Sequence, residues 1–165
     1  MIRTRILAWA RARQPDFVIG GAERPYLRRH WLLPRNRFLN VYVHEFLRSD
    51  DDRALHDHPW AFNCSWLIDG EYVEHTIAAG GVHVRTRRQA GDWKFRWGPA
   101  PHRVELVGNE GDPPDVPFVA AVPCWTVFIT GPIVRTWGFH CPTRWVPWRE
   151  FVDGRDTGAI GRGCE

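Results

Sequence analysis

The stretch Ser49-Asp50-Asp51-Asp52-Arg53-Ala54-Leu55-His56-Asp57-His58-Pro59-Trp60 sets two imidazoles two residues apart, and His102 answers them further along the chain. In an extended strand successive side chains alternate faces, so His56 and His58 point one way and Asp57 the other. Two imidazoles on one face can share one ion. Imidazole nitrogen suits iron, zinc, nickel, copper and manganese, so the residue type restricts the metal without choosing it. His56, His58 and His102 are therefore the candidate metal ligands.

Outward from this stretch the chain reads as short strands with closely spaced turn signals. Residues 38–47 are rich in Val, Tyr and Phe, and the segments 62–68 and 71–77 flank Asp69-Gly70, a pair suited to a type I′ hairpin turn. Residues 82–88 alternate, Gly91 opens the segment leading to His102, and 103–107 continue as a strand. GNEGDPPDVP at 108–117 has loop composition. Strands resume at 118–122, 124–130 and 133–139, broken by Pro123 and Gly131-Pro132. Upstream, the spacing predicts a short helix over 2–13 ended by Pro15, then strands at 17–19 and 26–33. This pattern indicates an all-β sandwich or barrel, not alternating β and α units.

The 165 residues suit a single domain. We divide it into an N-terminal extension, 1–37, packing on the barrel, the barrel itself, 38–151, and a loosely held, Gly-rich tail, 152–165. The sequence has no run apolar enough for a membrane span and no secretory leader, so the expected compartment is the cytoplasm. Cys64, Cys124, Cys141 and Cys164 show no C-x-x-C spacing and are read as buried or incidental thiols. The net charge of +3 is slight, and the basic residues are Arg with the exception of Lys94. That bias fits a composition effect better than a nucleic-acid surface. Binding of nucleic acid through Arg85, Arg87 and Arg88 is the weakest of the functional readings.

The motif frame resembles the cupin superfamily. Its first motif runs His-x-His, a short spacer, Glu and a later Gly, and here His56 and His58 are followed by Asn63 at the Glu position and by Gly70. Its second motif places a histidine at a fixed interval after a glycine, which Gly91 and His102 keep, although the terminal Asn is replaced by Leu106. PYLRRHWLLPRNRF, SDDDRALHDHPW, GEYVEHTIAAGG, FITGP and WGFHCP also resemble small cupin-like proteins of bacterial and phage genomes. The resemblance implies a cupin-type double-stranded β-helix, a jelly-roll barrel with a short N-terminal extension, and a metal pocket. It also makes a homodimer plausible.

The implied site has His56, His58 and His102 around one divalent ion, Fe(II) being favoured and Zn, Ni or Mn being alternatives. Asn63 would bind weakly through its amide oxygen or orient a water. Glu74 shares strand parity with Tyr72, and the two are the candidate catalytic residues if they face the pocket and not solvent. Trp97, Arg96 and Arg103 are the candidate substrate contacts, the arginines as a clamp for carboxylate or phosphate. His140 might add a nitrogen but reads more simply as a surface residue. The acids at 50–52 offer a carboxylate to a ligating imidazole, and read more simply as a solvated turn. The leading function is a mononuclear non-heme metal enzyme, dioxygenase-like, acting on a small organic molecule. The alternative is a non-catalytic cupin that binds a sugar, nucleotide or other metabolite as an accessory or phage protein.

Overall fold

Short alternating strands bury one face each, which requires two layers. The computed structural model describes residues 1–21, 23, 25–50, 54–108, 121–153 and 161–165 and has those layers. The elements are α1 (Ile2–Arg11), β1 (Phe17–Ile19), β2 (Leu27–Trp31), β3 (Asn40–Phe46), β4 (Leu55–His56), β5 (Phe62–Asp69), β6 (Glu71–Ile77), β7 (His83–Gln89), β8 (Trp93–Trp97), β9 (His102–Leu106), β10 (Cys124–Thr130), β11 (Gly138–His140), β12 (Trp145–Pro147) and α2 (Trp148–Phe151). One antiparallel sheet has the order β1-β2-β3-β10-β5-β8 and the other β12-β11-β4-β9-β6-β7. The chain folds as a double-stranded β-helix, with the interior between the two sheets.

Strand β10 is flanked on both sides and buried on both faces. Thr126, Phe128 and Thr130 face the interior. On the other side Trp125 and Val127 meet Leu7 and Ala10 of α1, together with Val43 and Ile68. The apolar stripe of α1 thus closes the outer face of this sheet, where burial of such side chains stabilises by roughly 25 cal/mol per Å². The N-terminal extension also supplies β2, which pairs with β3, and β1, which pairs with β2, so that the two extend the sheet.

Three expectations are corrected. Asp69-Gly70 is not a hairpin turn: β5 and β6 belong to different sheets, and Gly70 is the corner between them. Its φ of +78° is left-handed, and a Cβ there would lie 3.0 Å from both Cys124 Cβ and the Pro123 carbonyl oxygen. Strand β8 was not anticipated because its pattern is inverted. Trp93, Phe95 and Trp97 face outward while Arg96 is buried, so its charge sits where a core residue is expected. Lastly, Cys141 and Cys164 are not incidental thiols but form a disulfide, with Cα atoms 5.5 Å apart.

That bridge ties the end of the chain to β11. Gly161 and Gly163 both donate backbone N–H bonds to the Phe151 carbonyl. The expected loose segment at 154–160, the loop at 109–117 and the strand expected at 118–120 lie outside the described residues. Among the described residues no helix is long and apolar enough to cross a membrane. Replacing Gly70 by Ala should destabilise the fold by about 1–3 kcal/mol, through the left-handed φ and the fixed backbone beside it. Urea unfolding of Gly70→Ala beside wild type measures this, and an unchanged midpoint would contradict the corner role.

Candidate metal centre

Strand β4 is only two residues long, so the ligand segment is held largely by its neighbours. His56 is in register with His102 of β9 on one side and with Phe139 of β11 on the other. His58 lies just past the strand and donates its N–H to the Gly98 carbonyl at 2.9 Å. Gly98 in turn donates to Ala61 at 3.1 Å. The two segments pass so closely that a Cβ on Gly98 would fall 1.9 Å from the Trp60 carbonyl oxygen. Only glycine permits this crossing.

Asp57 points away from the histidines, as strand alternation demands, and is almost fully buried. Its carboxylate accepts from Gly138 N–H at 2.9 Å, His140 Nε2 at 3.2 Å and Trp145 Nε1 at 3.1 Å, and Arg135 pairs with it at 3.0 Å. His140 is thus a partner of Asp57 and not a fourth nitrogen of the cluster.

Inside, the three imidazoles converge. His58 Nε2 and His102 Nε2 are 2.8 Å apart, and the ring centres of His56 lie 5.2 Å from His58 and 5.0 Å from His102. One nitrogen from each residue falls within 4.8 Å of the others, a donor set that fits a single divalent ion. The remaining nitrogens of two rings are turned toward carboxylates. His56 Nδ1 lies 3.8 Å from Asp50 Oδ2, and His102 Nδ1 lies 3.9 Å from Glu74 Oε1. At those distances neither carboxylate hydrogen-bonds its ring, and His102 Nδ1 has no hydrogen-bond partner among the described residues. Burial pushes all three histidines below their usual value, His58 and His102 strongly, so they stand neutral and able to ligate.

Asp50 is not part of a solvated turn. It is buried, takes the Val104 N–H at 2.7 Å and accepts from the Tyr26 hydroxyl. Asp51 and Asp52 lie outside the described residues. Glu74 is fully buried in the interior. Arg96 grips its Oε1 through Nε at 2.8 Å and through Nη2, while Arg88 Nε reaches Oε2 at 3.0 Å. Burial opposes the charge on Glu74, but Arg96 and Arg88 outweigh it and hold the carboxyl below its usual range. A carboxylate so held is a poor proton acceptor. Tyr72 lies beside it, its hydroxyl pushed up by burial.

Asn63 is also fully buried, opposite Arg96 on β8 and Thr130 on β10. Neither its amide oxygen nor its nitrogen has a protein partner among the described residues. A buried amide in that state costs about 1–3 kcal/mol per group unless water or an ion satisfies it. A cavity of about 30 Å³ in the interior is lined by Ser65, Tyr72, Arg96, His102, Thr126 and Phe128. It has room for one water and not for an organic ligand.

The other two residues expected to touch substrate sit elsewhere. Trp97 is 65% exposed on the outer face of β8, edge-on to Phe95. Arg103 is on the outer face of β9, where it joins Glu105 and His75. Of two further interior residues, His44 stood out in the sequence only as lying upstream of the ligand strand, and Arg29 did not stand out. His44 is buried against Phe128 and Tyr42, and Arg29 donates to it. Their signal was strand parity, with Arg29 sharing a face of β2 with Leu27 and Trp31.

Removing the Asp57 carboxylate should leave its buried donors without an acceptor. Asp57→Ala is expected to lose about 3 kcal/mol of stability or more and to weaken metal binding, measured by chemical unfolding and by zinc titration. Unaltered zinc affinity would separate Asp57 from the site. Protonation gives a second expectation. His44, His58 and His102 are held neutral in the folded chain by burial, whereas the unfolded chain binds protons near pH 6.5. Stability of chelator-treated protein should therefore be full above about pH 6.5 and fall progressively below it. Urea midpoints that rise on acidification would refute this.

No protein-family model matches the sequence, and no curated protein matches it significantly. Solved structures do match. Fe(II)-bound HppE in complex with substrate superposes with a TM-score of 0.50 at 14% identity, over 72% of this chain and 57% of that one. This chain therefore spans a little over half of that protein's length. A conserved protein with a double-stranded β-helix domain from Klebsiella pneumoniae gives a TM-score of 0.49 at 18% identity, over 75% of this chain and 91% of that one. At these identities the likeness concerns the fold. The shared feature is the double-stranded β-helix of two antiparallel sheets already described.

Proposed function

We propose that the barrel holds one divalent metal ion on His56, His58 and His102 and acts as a mononuclear non-heme centre, dioxygenase-like, on a small organic molecule. The observation that carries this is the convergence of three neutral imidazoles, His102 buried and His56 and His58 partly buried, with His58 and His102 2.8 Å apart through Nε2. Iron(II) is the first ion to try, with zinc, nickel and manganese as alternatives, and a solved structure of the same fold holds Fe(II). Bound there, iron would supply Lewis acidity and the means to activate oxygen. Three neutral protein ligands would leave its charge uncompensated and other positions open.

The chain's own residues do the rest. Asp50 and Glu74 place carboxylate charge 3.8 Å from His56 Nδ1 and 3.9 Å from His102 Nδ1. Arg96 and Arg88 keep Glu74 ionised, so that Glu74 is a positioning group here and not the base assumed from strand parity. Asn63 offers a polar contact without charge, and Phe128 and Trp60 shield His58 on its apolar side. The absence of a free carboxylate in the described interior favours the second reading, a non-catalytic cupin that binds a metabolite.

Elemental analysis of untagged protein purified without chelator, beside a His56→Ala/His58→Ala double variant, tests the site. About one iron, zinc, nickel or manganese per chain is expected, lost in the variant. No metal in wild type, even after anaerobic reconstitution with Fe(II), would overturn the proposal. Oxygen uptake with a panel of small organic acids then separates catalysis from binding alone.

A further inference from the structure

Arg29 stands on the inner face of β2, in register with His44 of β3. Its Nε–H donates to His44 Nε2 at 2.9 Å, and its guanidinium lies 4.7 Å from the centre of the Tyr42 ring. This leaves its two terminal amines, an end-on fork of donors matched to a carboxylate or phosphate. Among the described residues no carboxylate pairs with Arg29. A second cation, Arg35, acts on it electrostatically, and the Arg35 guanidinium lies 5.6 Å from the centre of the Trp31 ring. Arg96, the arginine that the sequence singled out, is different, because Glu74 already occupies it.

Position strengthens the contrast. His44 packs 5.0 Å from Phe128, and Phe128 packs 6.1 Å from His58, so one aromatic ring separates the Arg29–His44 pair from the histidine cluster. Trp31, in register with Tyr42, extends the aromatic surface on the same face of β2. The part-buried guanidinium is penalised first by desolvation and also by Arg35, which lowers its pKa despite a favourable contribution from Tyr42. A cation in such surroundings is stabilised by an anion, and the described residues pair none with it.

We propose that Arg29, assisted by Arg35, is an anion-recognition subsite of this barrel, and that its ligand is a small organic oxyanion whose carboxylate or phosphate sits on Arg29. The body of the ligand then lies toward Phe128 and the three histidines, with Trp31 and Tyr42 offering ring faces. This rests on the reading of the interior as a small-molecule site and names the class of molecule.

Metal-free protein separates this proposal from the metal reading. Calorimetric titration with benzoate, its neutral isostere benzamide, and phenyl phosphate is run on wild type, Arg29→Gln, Arg29→Lys, Arg35→Gln and the outer-face control Arg87→Gln, with circular dichroism as the check on folding. Benzoate or phenyl phosphate should bind wild type at least about tenfold more tightly than benzamide, and Arg29→Gln should abolish that preference. Arg29→Lys keeps the charge without the fork and should fall between, Arg35→Gln should lose less, and Arg87→Gln should match wild type. Whichever oxyanion binds more tightly assigns the class. Equal binding of benzoate and benzamide, no oxyanion binding to wild type, or an unchanged preference in folded Arg29→Gln would overturn the proposal, whether or not metal binds.

Discussion

The structure of the site depends on a carboxylate that is not in it. Asp57 is buried on the far side of the His-Asp-His segment, where it gathers Gly138, His140, Trp145 and Arg135. Because side chains alternate, fixing Asp57 outward fixes His56 and His58 inward. The segment has only a two-residue strand of its own, so ladder hydrogen bonds alone would hold it weakly. Ion pairing and charge-assisted hydrogen bonds behind the segment, and the glycine crossing at Gly98, make up the difference.

The interior is polar for a small barrel, and its charges follow one order. Each imidazole turned toward the cluster has a carboxylate or an apolar ring behind it, and Glu74 is balanced by Arg96 and Arg88. A buried pair with its remaining lone pairs satisfied avoids most of the desolvation cost that an isolated charge would carry. Arg29 breaks this order, since this cation on the inner face has no paired acid among the described residues. Asn63 breaks it in a neutral way, with a buried amide that has no protein partner among the described residues. These two departures lie in the same interior as the three histidines.

Much of this was readable from the chain. Strand parity and the cupin-like spacing singled out His56, His58 and His102, which the structure brings together, and the strands at 17–19, 71–77 and 124–130 match the structure. What the sequence hid was long-range pairing. Nothing local says that Glu74 will meet Arg88 on β7 and Arg96 on β8, or that Asp50 will be buried against Val104 and Tyr26. Gly70 looks like any hairpin glycine until β5 and β6 are seen to enter different sheets. Strand β8 defeats hydrophobic patterning because its aromatics are outside and its arginine inside. The Cys141–Cys164 bridge depends on a return of the chain end that spacing does not encode.

Extended X-ray absorption of the zinc-loaded protein tests the central claim most directly, because it reads the ligands themselves. Three imidazole nitrogens at about 2.0–2.1 Å are expected, with any further scatterer a light atom. A spectrum of wild type with sulfur in the coordination shell, or with fewer than three imidazoles, would contradict a centre built from His56, His58 and His102.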